Sequence, residues 1–421
     1  MKPAGCAIDF GTSNSAIALP GAGLVEVEPG HRTMPTAVFY AVDEAHAAEP
    51  ERSYGRLALA SYIDGLDGRL MRSMKSILGS TLVDQHTDVG GGKAVRYLHV
   101  IGHYLRHLKT LAERSADVPL DRVVLGRPVA FVDGDAERDA QAQDSLERAA
   151  RSVGFADVSF QLEPIAAAFD FERTAEREHL VLVADIGGGT SDFSLVRVGP
   201  GRRERLQRHD DVLANHGVHI AGTDFDRHIE LAAILPLLGY RGLGPGGREV
   251  PNKVYFDLAT WHLINTVYAP GRVAELRRMR DFYADGRQHE RLMRAVTLRL
   301  GHALAAQAEQ AKIAVADGGA APVALDDIEP GLHALLDEAT AMRALDADLQ
   351  RIVDAGVHTA ALAGVSPGQV DVLYFTGGST GLTPLADRIA AEFPKAQRVK
   401  GDRFASVAQG LGEHARRLWG G

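Results

Sequence analysis

The sequence predicts a mixed α/β fold built from two similar halves, and three observations support this. Apolar, strand-like runs alternate along the chain with amphipathic helical stretches, which is typical of sheets covered by helices. Two segments, residues 7–15 and 184–192, repeat one pattern: an apolar run that ends in aspartate, then glycines and hydroxyl residues, then a second apolar run. The length of 421 residues is enough for two or three domains.

The elements follow from these local patterns in chain order. Short apolar runs predict strands at residues 7–10, 16–19, 37–42, 122–125, 158–162, 180–184, 193–198 and 370–375. Amphipathic runs that end at glycine or proline predict helices at residues 135–153, 293–316 and 382–392. Glycine-rich stretches at residues 90–92 and 239–251 are predicted to be loops.

Composition limits the classes of function. The net charge is −9, whereas proteins that bind nucleic acids or anionic membranes carry a basic surface, so neither partner is expected. Cys6 is the only cysteine, which excludes a disulfide framework and a cysteine metal site. No apolar run approaches the length of a membrane span, and the N-terminus has no signal core, so a cytoplasmic location is expected.

The two repeated segments are predicted to be phosphate-binding hairpins. Glycine allows the backbone to turn tightly and to approach a ligand closely, and the N–H groups of such a turn form a concave anion site. Asp9 and Asp185 at the mouths of the turns could hold a hydrated magnesium ion, although either aspartate alone could simply satisfy turn amides. As a matched pair half a chain apart, they predict two lobes that bind one polyphosphate.

Three other motifs compete with this interpretation. The Gly242–Gly247 run matches a dinucleotide fingerprint by letter, but no strand precedes it and no helix follows, so a loop is preferred. His99, His103 and His107 share a helical face without a nearby carboxylate, which favours a structural role over a metal site. Ser379 lies in a strand–turn–helix setting, with Asp402 and His414 in the order of a hydrolase triad, so acyl hydrolysis stays a minor alternative.

Several segments resemble those of the heat-shock-70 (DnaK-like) chaperones, within the actin-like ATPase superfamily. They occur in the expected order, at residues 9–15, 30–38, 74–79, 126–131, 163–168, 184–192, 221–226, 308–312 and 377–381. The resemblance is greatest to the YegD-like members that lack a peptide-binding domain. It implies an actin-like ATPase fold, with two similar ribonuclease H-like lobes and a nucleotide cleft between them.

The resemblance also implies a domain organisation. Lobe I would span residues 1–176, with an insertion at about 40–105, and lobe II would span residues 177–421, with an insertion at about 227–344. No peptide-binding domain is expected, because no apolar linker or β-domain pattern follows the helix that ends near Trp419.

The implied cofactors are ATP or ADP with Mg²⁺, and the implied site residues form three sets. The catalytic set is Lys75, Glu163, Asp185, Thr190 and Asp192. The magnesium set is Asp9 and Asp185, through water. The nucleotide-binding set is Asp9, Gly11, Thr12, Ser13, Asn14, Gly187, Gly188, Gly189, Thr190, Gly222, Thr223, Asp224, Glu309, Lys312, Gly377, Gly378 and Ser379.

Within these sets the resemblance gives individual roles. Lys75 would stabilise charge on the γ-phosphate or its attacking water, and Glu163 and Asp192 would orient that water or the magnesium shell. Glu309 and Lys312 would hydrogen-bond the ribose, although residues three apart on a helix could also be an ordinary surface pair.

The adenosine region departs from the family pattern at three places. Gly381 and Leu382 stand where relatives have an arginine that stacks on adenine. Ala316 replaces a serine, and Phe404 lies where a ligand-contacting acid is expected. A weaker or differently built adenine site is therefore predicted.

The function implied is that of an ATP-binding and ATP-hydrolysing chaperone-like protein whose lobes close on Mg·ATP and open after hydrolysis. An unidentified protein partner or client would receive that signal. An actin-like filament or scaffold protein is the alternative, and a small-molecule kinase or a hydrolase that uses Ser379 are minor ones.

Overall fold

The computed structural model describes residues 5–42, 51–90, 92–132, 134–402 and 405–420, and these residues form two compact units. The first unit comprises the described residues within 1–217, 355–378 and 390–421, and the second comprises residues 218–354 and 379–389. Both predicted hairpins lie in the first unit. These units do not follow the boundary predicted near residue 177, and the division into two lobes stays a prediction. Part of the predicted first insertion (residues 43–50 and 91) and Phe404 lie outside the described residues.

The strands fall where apolar runs predicted them, together with shorter strands in the connecting segments. In chain order they are β1 (Cys6–Phe10), β2 (Asn14–Leu19), β3 (Gly23–Leu24), β4 (Thr33–Pro35), β5 (Ala37–Ala41), β6 (Arg52–Tyr54), β7 (Gly68–Arg72), β8 (His86–Gly90), β9 (Lys93–Arg96), β10 (Arg122–Arg127), β11 (Asp157–Leu162), β12 (His179–Ile186), β13 (Ser191–Val198), β14 (Val212–Val218), β15 (Ala320–Ala324), β16 (His333–Asp337), β17 (Val372–Thr376) and β18 (Gln397–Lys400).

The helices occupy the segments between these strands. They are α1 (Gly55–Ile63), α2 (Tyr97–Ala116), α3 (Ala136–Ser152), α4 (Glu163–Thr174), α5 (Gly222–Ile229), α6 (Lys253–Leu258), α7 (Ile264–Val267), α8 (Pro270–Arg278), α9 (Gly286–Thr297), α10 (Gly301–Ala314), α11 (Glu338–Leu362), α12 (Thr383–Glu392) and α13 (Ser406–Trp419). Among the described residues, no helix is both long enough and apolar enough to cross a bilayer.

Helix α3 illustrates how local chemistry sets an element. The side chain of Asp135 accepts a hydrogen bond from the N–H of Arg138 at 3.0 Å and thereby caps the first turn. The negative charges of Glu137 and Asp139 in that turn interact favourably with the positive end of the helix dipole. The helix therefore begins and ends within one residue of its predicted bounds.

The first unit contains two sheets in which five strands follow one another in a corresponding order. One sheet runs β11-β10-β1-β2-β3, with β4 also paired to β2, and the other runs β18-β17-β12-β13-β14. In each, an antiparallel hairpin (β1–β2 or β12–β13) adjoins a parallel strand (β10 or β17), which pairs in parallel with the outer strand. The similarity of the two repeated sequence segments therefore extends to the sheets that contain them.

The two sheets share a hydrophobic core with α4 and α13. Ala7 and Val124 from the first sheet, Val183 from the second, and Ile165 and Leu411 from the helices are at most 1% exposed and belong to one apolar cluster. Burying this apolar surface stabilises the packing of the two sheets against α4 and α13.

A buried ion network fastens the loop after β13 to the end of α4. Both terminal nitrogens of Arg208 donate to the carboxylate of Glu172, at 2.8 and 2.9 Å, and Arg208 Nε donates to Asp211. The N–H of Gly199 donates to Glu172 at 3.0 Å. The side chains of Arg208 and Glu172 are at most 1% exposed, so removal of either partner would leave a buried charge uncompensated.

The long helix predicted at residues 293–316 is wrong, because the structure has two helices there. Helix α9 ends at Thr297 and α10 begins at Gly301. Between them Arg299 adopts a left-handed backbone conformation, with φ of 56°, which a continuous helix does not allow. The N–H of Gly301 donates to the hydroxyl of Tyr268 at 2.8 Å, so a tertiary contact stabilises the start of α10.

Candidate functional site

The tip of the first hairpin is braced by a residue outside it. Asp9 lies in β1, and residues Gly11–Ser13 connect β1 to β2. The hydroxyl of Thr36 donates to the carbonyl of Gly11 at 2.8 Å, and the N–H of Thr36 donates to the carbonyl of Ser13 at 2.9 Å. A Cβ at Gly11 would overlap the carbonyl of Asn14, so this close turn requires glycine.

The second hairpin is braced from within. The N–H of Gly187 donates to the carbonyl of Thr190 at 3.0 Å, and the hydroxyl of Thr190 donates to the carboxylate of Asp192 at 2.7 Å. A Cβ built on Gly188 would lie 2.7 Å from Ser13 Oγ, so the two tips are neighbours. The paired turns predicted from the sequence thus converge in space.

A buried ion pair lies beside the two hairpins. Lys75 Nζ is 2.5 Å from Glu163 Oε1, and the Lys75 side chain is only 9% exposed. Lys75 is carried by the 3₁₀ turn Met74–Ile77, which follows Ser73 in a left-handed conformation, and Glu163 is the first residue of α4. An ion pair this buried is sensitive to any charge that arrives next to it.

Asp9, Lys75 and Asp185 affect one another's pKa values. Burial and the charges of Glu163 and Asp185 raise the pKa of Asp9 to about 8, although Lys75 acts against this. Burial, Asp192 and Glu163 raise the pKa of Asp185 to about 7. Burial lowers the pKa of Lys75, but Glu163, Asp9 and Asp185 outweigh it, and the net shift is upward.

This donor set fits a hydrated magnesium ion with a polyphosphate. Among the described residues, no three His, Cys, Asp or Glu side chains are close enough to hold a metal by themselves. Mg²⁺ keeps several waters and takes one or two carboxylates plus phosphate oxygens, which two aspartates beside two glycine turns can provide. Burial, followed by the neighbouring acids, raises the pKa values of Asp9 and Asp185, and a divalent cation beside the two carboxylates would compensate their charge when they are ionised.

The raised acid pKa values predict a pH dependence for the nucleotide-free protein. Between about pH 4 and pH 8 the folded Asp9 retains a proton that the unfolded chain has lost, so raising the pH through this window destabilises the fold. We expect the free energy of unfolding to fall by on the order of 1 kcal/mol more in the wild type than in Asp9→Asn between pH 5 and pH 8.

Urea denaturation at the two pH values measures this difference. Asp210→Asn is the matched control, because the Asp210 side chain is fully exposed. Parallel pH profiles for the wild type and Asp9→Asn would contradict the expected burial effect.

A third glycine-containing turn, at residues 377–381, follows β17 and adjoins the second hairpin. Thr376 at the end of β17 pairs with Asp185, and Gly377 follows with φ of 85°. A Cβ at Gly377 would lie 2.6 Å from a carboxylate oxygen of Asp185, so glycine is required there. Gly377 and Gly378 therefore lie beside the aspartate cluster, in the first unit.

The other predicted nucleotide-binding residues lie in the second unit, namely Gly222, Thr223, Asp224, Glu309, Lys312 and Ser379. Lys312 Nζ is 2.6 Å from Asp226 Oδ1 and 3.4 Å from the carbonyl of Gly222, which brings the two motifs together. The carboxylate of Asp224 accepts the N–H of Ala221 at 3.0 Å and stabilises the start of α5. The roles of all six toward a nucleotide stay predictions.

Two residues, one in each unit, were missed by sequence reasoning. Thr36 braces the first hairpin, and Asp226 pairs with Lys312. Both lie inside segments that resemble the family, at residues 30–38 and 221–226, so their location was a usable signal. Their partners are 25 and 86 residues away in sequence, and no local pattern indicates such pairings.

Histidines of two competing motifs make contacts with other side chains of the fold. Nδ1 of His414 is 3.0 Å from Nε2 of Gln161, and the imidazole is 3% exposed, which disfavours a role as a triad base. His103 lies 2.9 Å from the hydroxyl of Tyr40, and His107 stacks on Tyr54 with ring centroids 4.2 Å apart. Both contacts agree with a structural role for the histidine stripe.

Comparisons with known proteins agree with these features. The family model described as "Hsp70 protein" matches residues 6–233. The "Chaperone protein HscA homolog" of Methylobacillus flagellatus is 30% identical over 236 residues, which cover 53% of this chain and 36% of that protein. The "Chaperone protein HscA" of Serratia proteamaculans is 29% identical over 232 residues, with coverages of 52% and 36%. The chain thus spans about a third of the length of these curated relatives.

Proposed function

Because this chain belongs to the Hsp70 family, we propose that it is a nucleotide-binding protein of the chaperone type that hydrolyses ATP with Mg²⁺. The observation that carries the proposal is the convergence of Asp9, Asp185 and the Lys75–Glu163 pair beside two adjacent glycine turns. Each member has a distinct task in phosphoryl transfer to water.

The aspartates and the hairpin backbones would bind the substrate. Asp9 and Asp185 would hold a hydrated Mg²⁺ ion. The bound ion would neutralise part of the negative charge of the phosphates. Backbone N–H groups at residues 11–13 and 188–190 would contact phosphate oxygens, because successive N–H groups in tight turns form an anion-binding concavity. Rigid bracing by Thr36 and by the Thr190–Asp192 hydrogen bond keeps these donors in position.

Lys75 would stabilise the charge that develops during transfer. Its ammonium is held by Glu163 in a poorly hydrated setting, where an oriented charge has a larger effect than in water. Glu163 fixes the direction of the ammonium and keeps it protonated. Asp192, exposed at the start of β13 and hydrogen-bonded by Thr190, would orient the attacking water.

Lobe movement and a partner belong to the same proposal. A triphosphate bound by residues of both predicted lobes would favour a closed arrangement, and a diphosphate would favour it less. A client or partner protein that responds to this change is expected from the chaperone names of the relatives.

Phosphate release tests the proposal directly. We expect the purified chain to release inorganic phosphate from ATP in water only with Mg²⁺, and not to transfer it to sugars or other acceptors. Transfer that exceeds release would favour a small-molecule kinase. Sedimentation of micromolar protein that depends on Mg·ATP would favour an actin-like filament, and labelling of Ser379 by a fluorophosphonate would favour a hydrolase. The absence of both release and nucleotide binding would refute the proposal.

A further inference from the structure

Three buried hydroxyl side chains lie close to the first hairpin turn, and we call them the hydroxyl cluster. Ser15 is in β2, Thr36 directly follows β4, and Tyr104 lies in the middle of α2. All three belong to the first unit and are at most 2% exposed. Polar groups this buried need hydrogen-bond partners within the protein, so their contacts define what the cluster holds in place.

The hydrogens of the hydroxyl cluster can be assigned from its acceptors. The Tyr104 hydroxyl is 3.0 Å from the carbonyl of Pro35, and the Thr36 hydroxyl is 2.8 Å from the carbonyl of Gly11. A carbonyl oxygen can only accept, so Tyr104 and Thr36 each donate their one hydrogen there. Ser15 Oγ is 2.8 Å from Thr36 Oγ1, and Ser15 must therefore be the donor of that pair.

Tyr104 is held at both its ring and its hydroxyl. The ring lies against those of Phe10 and Tyr54, with centroids 6.0 and 6.4 Å away. Burial raises the pKa of Tyr104 above the usual value of a phenol, and the hydrogen bonds with Ser15 and Thr36 offset this only in part. The Tyr104 hydroxyl is therefore a fixed, protonated donor at neutral pH.

Tyr104 is connected to the turn through one peptide unit. The carbonyl of Pro35 and the N–H of Thr36 belong to the same planar peptide unit, so they point in opposite directions. Tyr104 donates to that carbonyl, and that N–H donates to the carbonyl of Ser13 at 2.9 Å. Aligned hydrogen bonds of this kind polarise one another, so loss of the first weakens the second.

The Thr36 hydroxyl holds a second peptide unit, which is part of the turn itself. The carbonyl of Gly11 and the N–H of Thr12 form this unit, so the N–H points away from Thr36. None of the described residues accepts a hydrogen bond from that N–H. It is therefore one of the donors that remain for a phosphate oxygen, and its direction depends on the hydroxyl that holds the carbonyl.

We propose that Tyr104 is a positioning residue for the phosphate-binding turn at residues 11–13, and that it acts through Thr36. This inference rests on the proposed function, because the orientation of the turn affects the reaction only if the turn binds phosphate. The Tyr104 hydroxyl fixes the peptide unit between Pro35 and Thr36, from which the N–H and the hydroxyl of Thr36 reach the turn. Removing the Tyr104 hydroxyl frees this peptide unit and misaligns the N–H of Thr12.

Calorimetric titration of the whole chain with Mg·ATP, together with urea denaturation, tests the inference. Tyr104→Phe keeps the ring and removes only the hydroxyl. We expect it to bind Mg·ATP about tenfold more weakly, as for the misalignment of one N–H that donates to a charged oxygen. Tyr374→Phe is the matched control, because Tyr374 is 1% exposed in the same unit and its hydroxyl donates to Ser406 at 3.4 Å. Both variants lose a buried hydroxyl and should lose similar stability, but Tyr374→Phe should bind Mg·ATP like the wild type.

Variants of Thr36 test the route by which Tyr104 acts. Thr36→Ser retains the hydroxyl that holds the carbonyl of Gly11, so it should bind Mg·ATP like the wild type, whereas Thr36→Val should bind it more weakly. Because Tyr104 acts through Thr36, the double variant Tyr104→Phe with Thr36→Val should lose less affinity than the two single losses predict when combined.

The outcomes separate this inference from the proposed function. Wild-type affinity in a folded Tyr104→Phe protein would overturn the inference, because the hydroxyl would then serve the fold alone, and so would an equal loss of affinity in Tyr374→Phe. Independent losses in the double variant would overturn the route through Thr36. Failure of the wild type to bind Mg·ATP would refute the proposed function, and this inference with it.

Discussion

Replacing Lys75 by methionine is expected to slow ATP hydrolysis by about 100- to 1,000-fold while nucleotide binding persists. The ammonium is buried, is oriented by Glu163 at 2.5 Å, and lies close enough to Asp9 and Asp185 to affect the pKa values of both. Loss of one preorganised group that stabilises transition-state charge typically costs this much in rate. Single-turnover phosphate release, with binding measured separately, gives the two quantities.

Two control variants distinguish an effect of Lys75→Met on the reaction from an effect on folding. Lys75→Met leaves Glu163 without its cation, so the double variant Lys75→Met with Glu163→Gln tests whether a slow rate reflects chemistry rather than instability. Lys395→Met removes an exposed lysine of the same unit and should leave the rate unchanged. A Lys75→Met protein that folds and turns over at the wild-type rate would exclude Lys75 from the reaction.

Asp185→Asn is expected to leave the free protein at least as stable as the wild type and to remove most of its stabilisation by Mg·ATP. Burial and neighbouring acids raise the pKa of Asp185 to about 7, so a neutral isostere relieves repulsion and should not lower the melting temperature of the free protein. The same change removes a carboxylate that we propose holds Mg²⁺. The wild type should gain about 2.7 kcal/mol from ATP at a hundred times its dissociation constant, and the variant should lose most of this.

Melting temperatures with Mg·ATP and with Mg·AMP measure this effect. The wild type should be stabilised more by ATP than by AMP, and Asp185→Asn should respond to the two alike. Asp210→Asn, which alters an exposed acid of the same unit, should behave like the wild type. An undiminished ATP response in Asp185→Asn would remove Asp185 from the metal site.

Much of the fold was predictable because its signals are local. Apolar runs such as residues 180–184 and 193–198 predicted β12 and β13, and the aspartate and glycines between them predicted the hairpin. The family prediction is confirmed by the match over residues 6–233, and with it the actin-like ATPase fold. The assignment to the YegD-like members and the individual roles of the site residues stay predictions.

The parts that could not be predicted depend on distant contacts or on backbone conformation. The Ala- and Leu-rich stretch around Arg299 satisfies a helical pattern, and its break coincides with the left-handed backbone of Arg299 and the contact of Gly301 with Tyr268. The sequence placed Glu309 and Lys312 on one helical face, but it did not indicate that Lys312 pairs with Asp226.

The two sheets have the same strand order, but their hairpin turns are supported in different ways. In the first sheet, support for the turn comes from Thr36, which is distant in sequence, whereas in the second sheet it comes from Thr190 and Asp192 within the hairpin itself. The second turn can therefore retain its shape when its surroundings shift, but the first depends on the segment that carries Thr36. The two turns are therefore not equivalent, and a change elsewhere in the chain would alter the first turn more readily than the second.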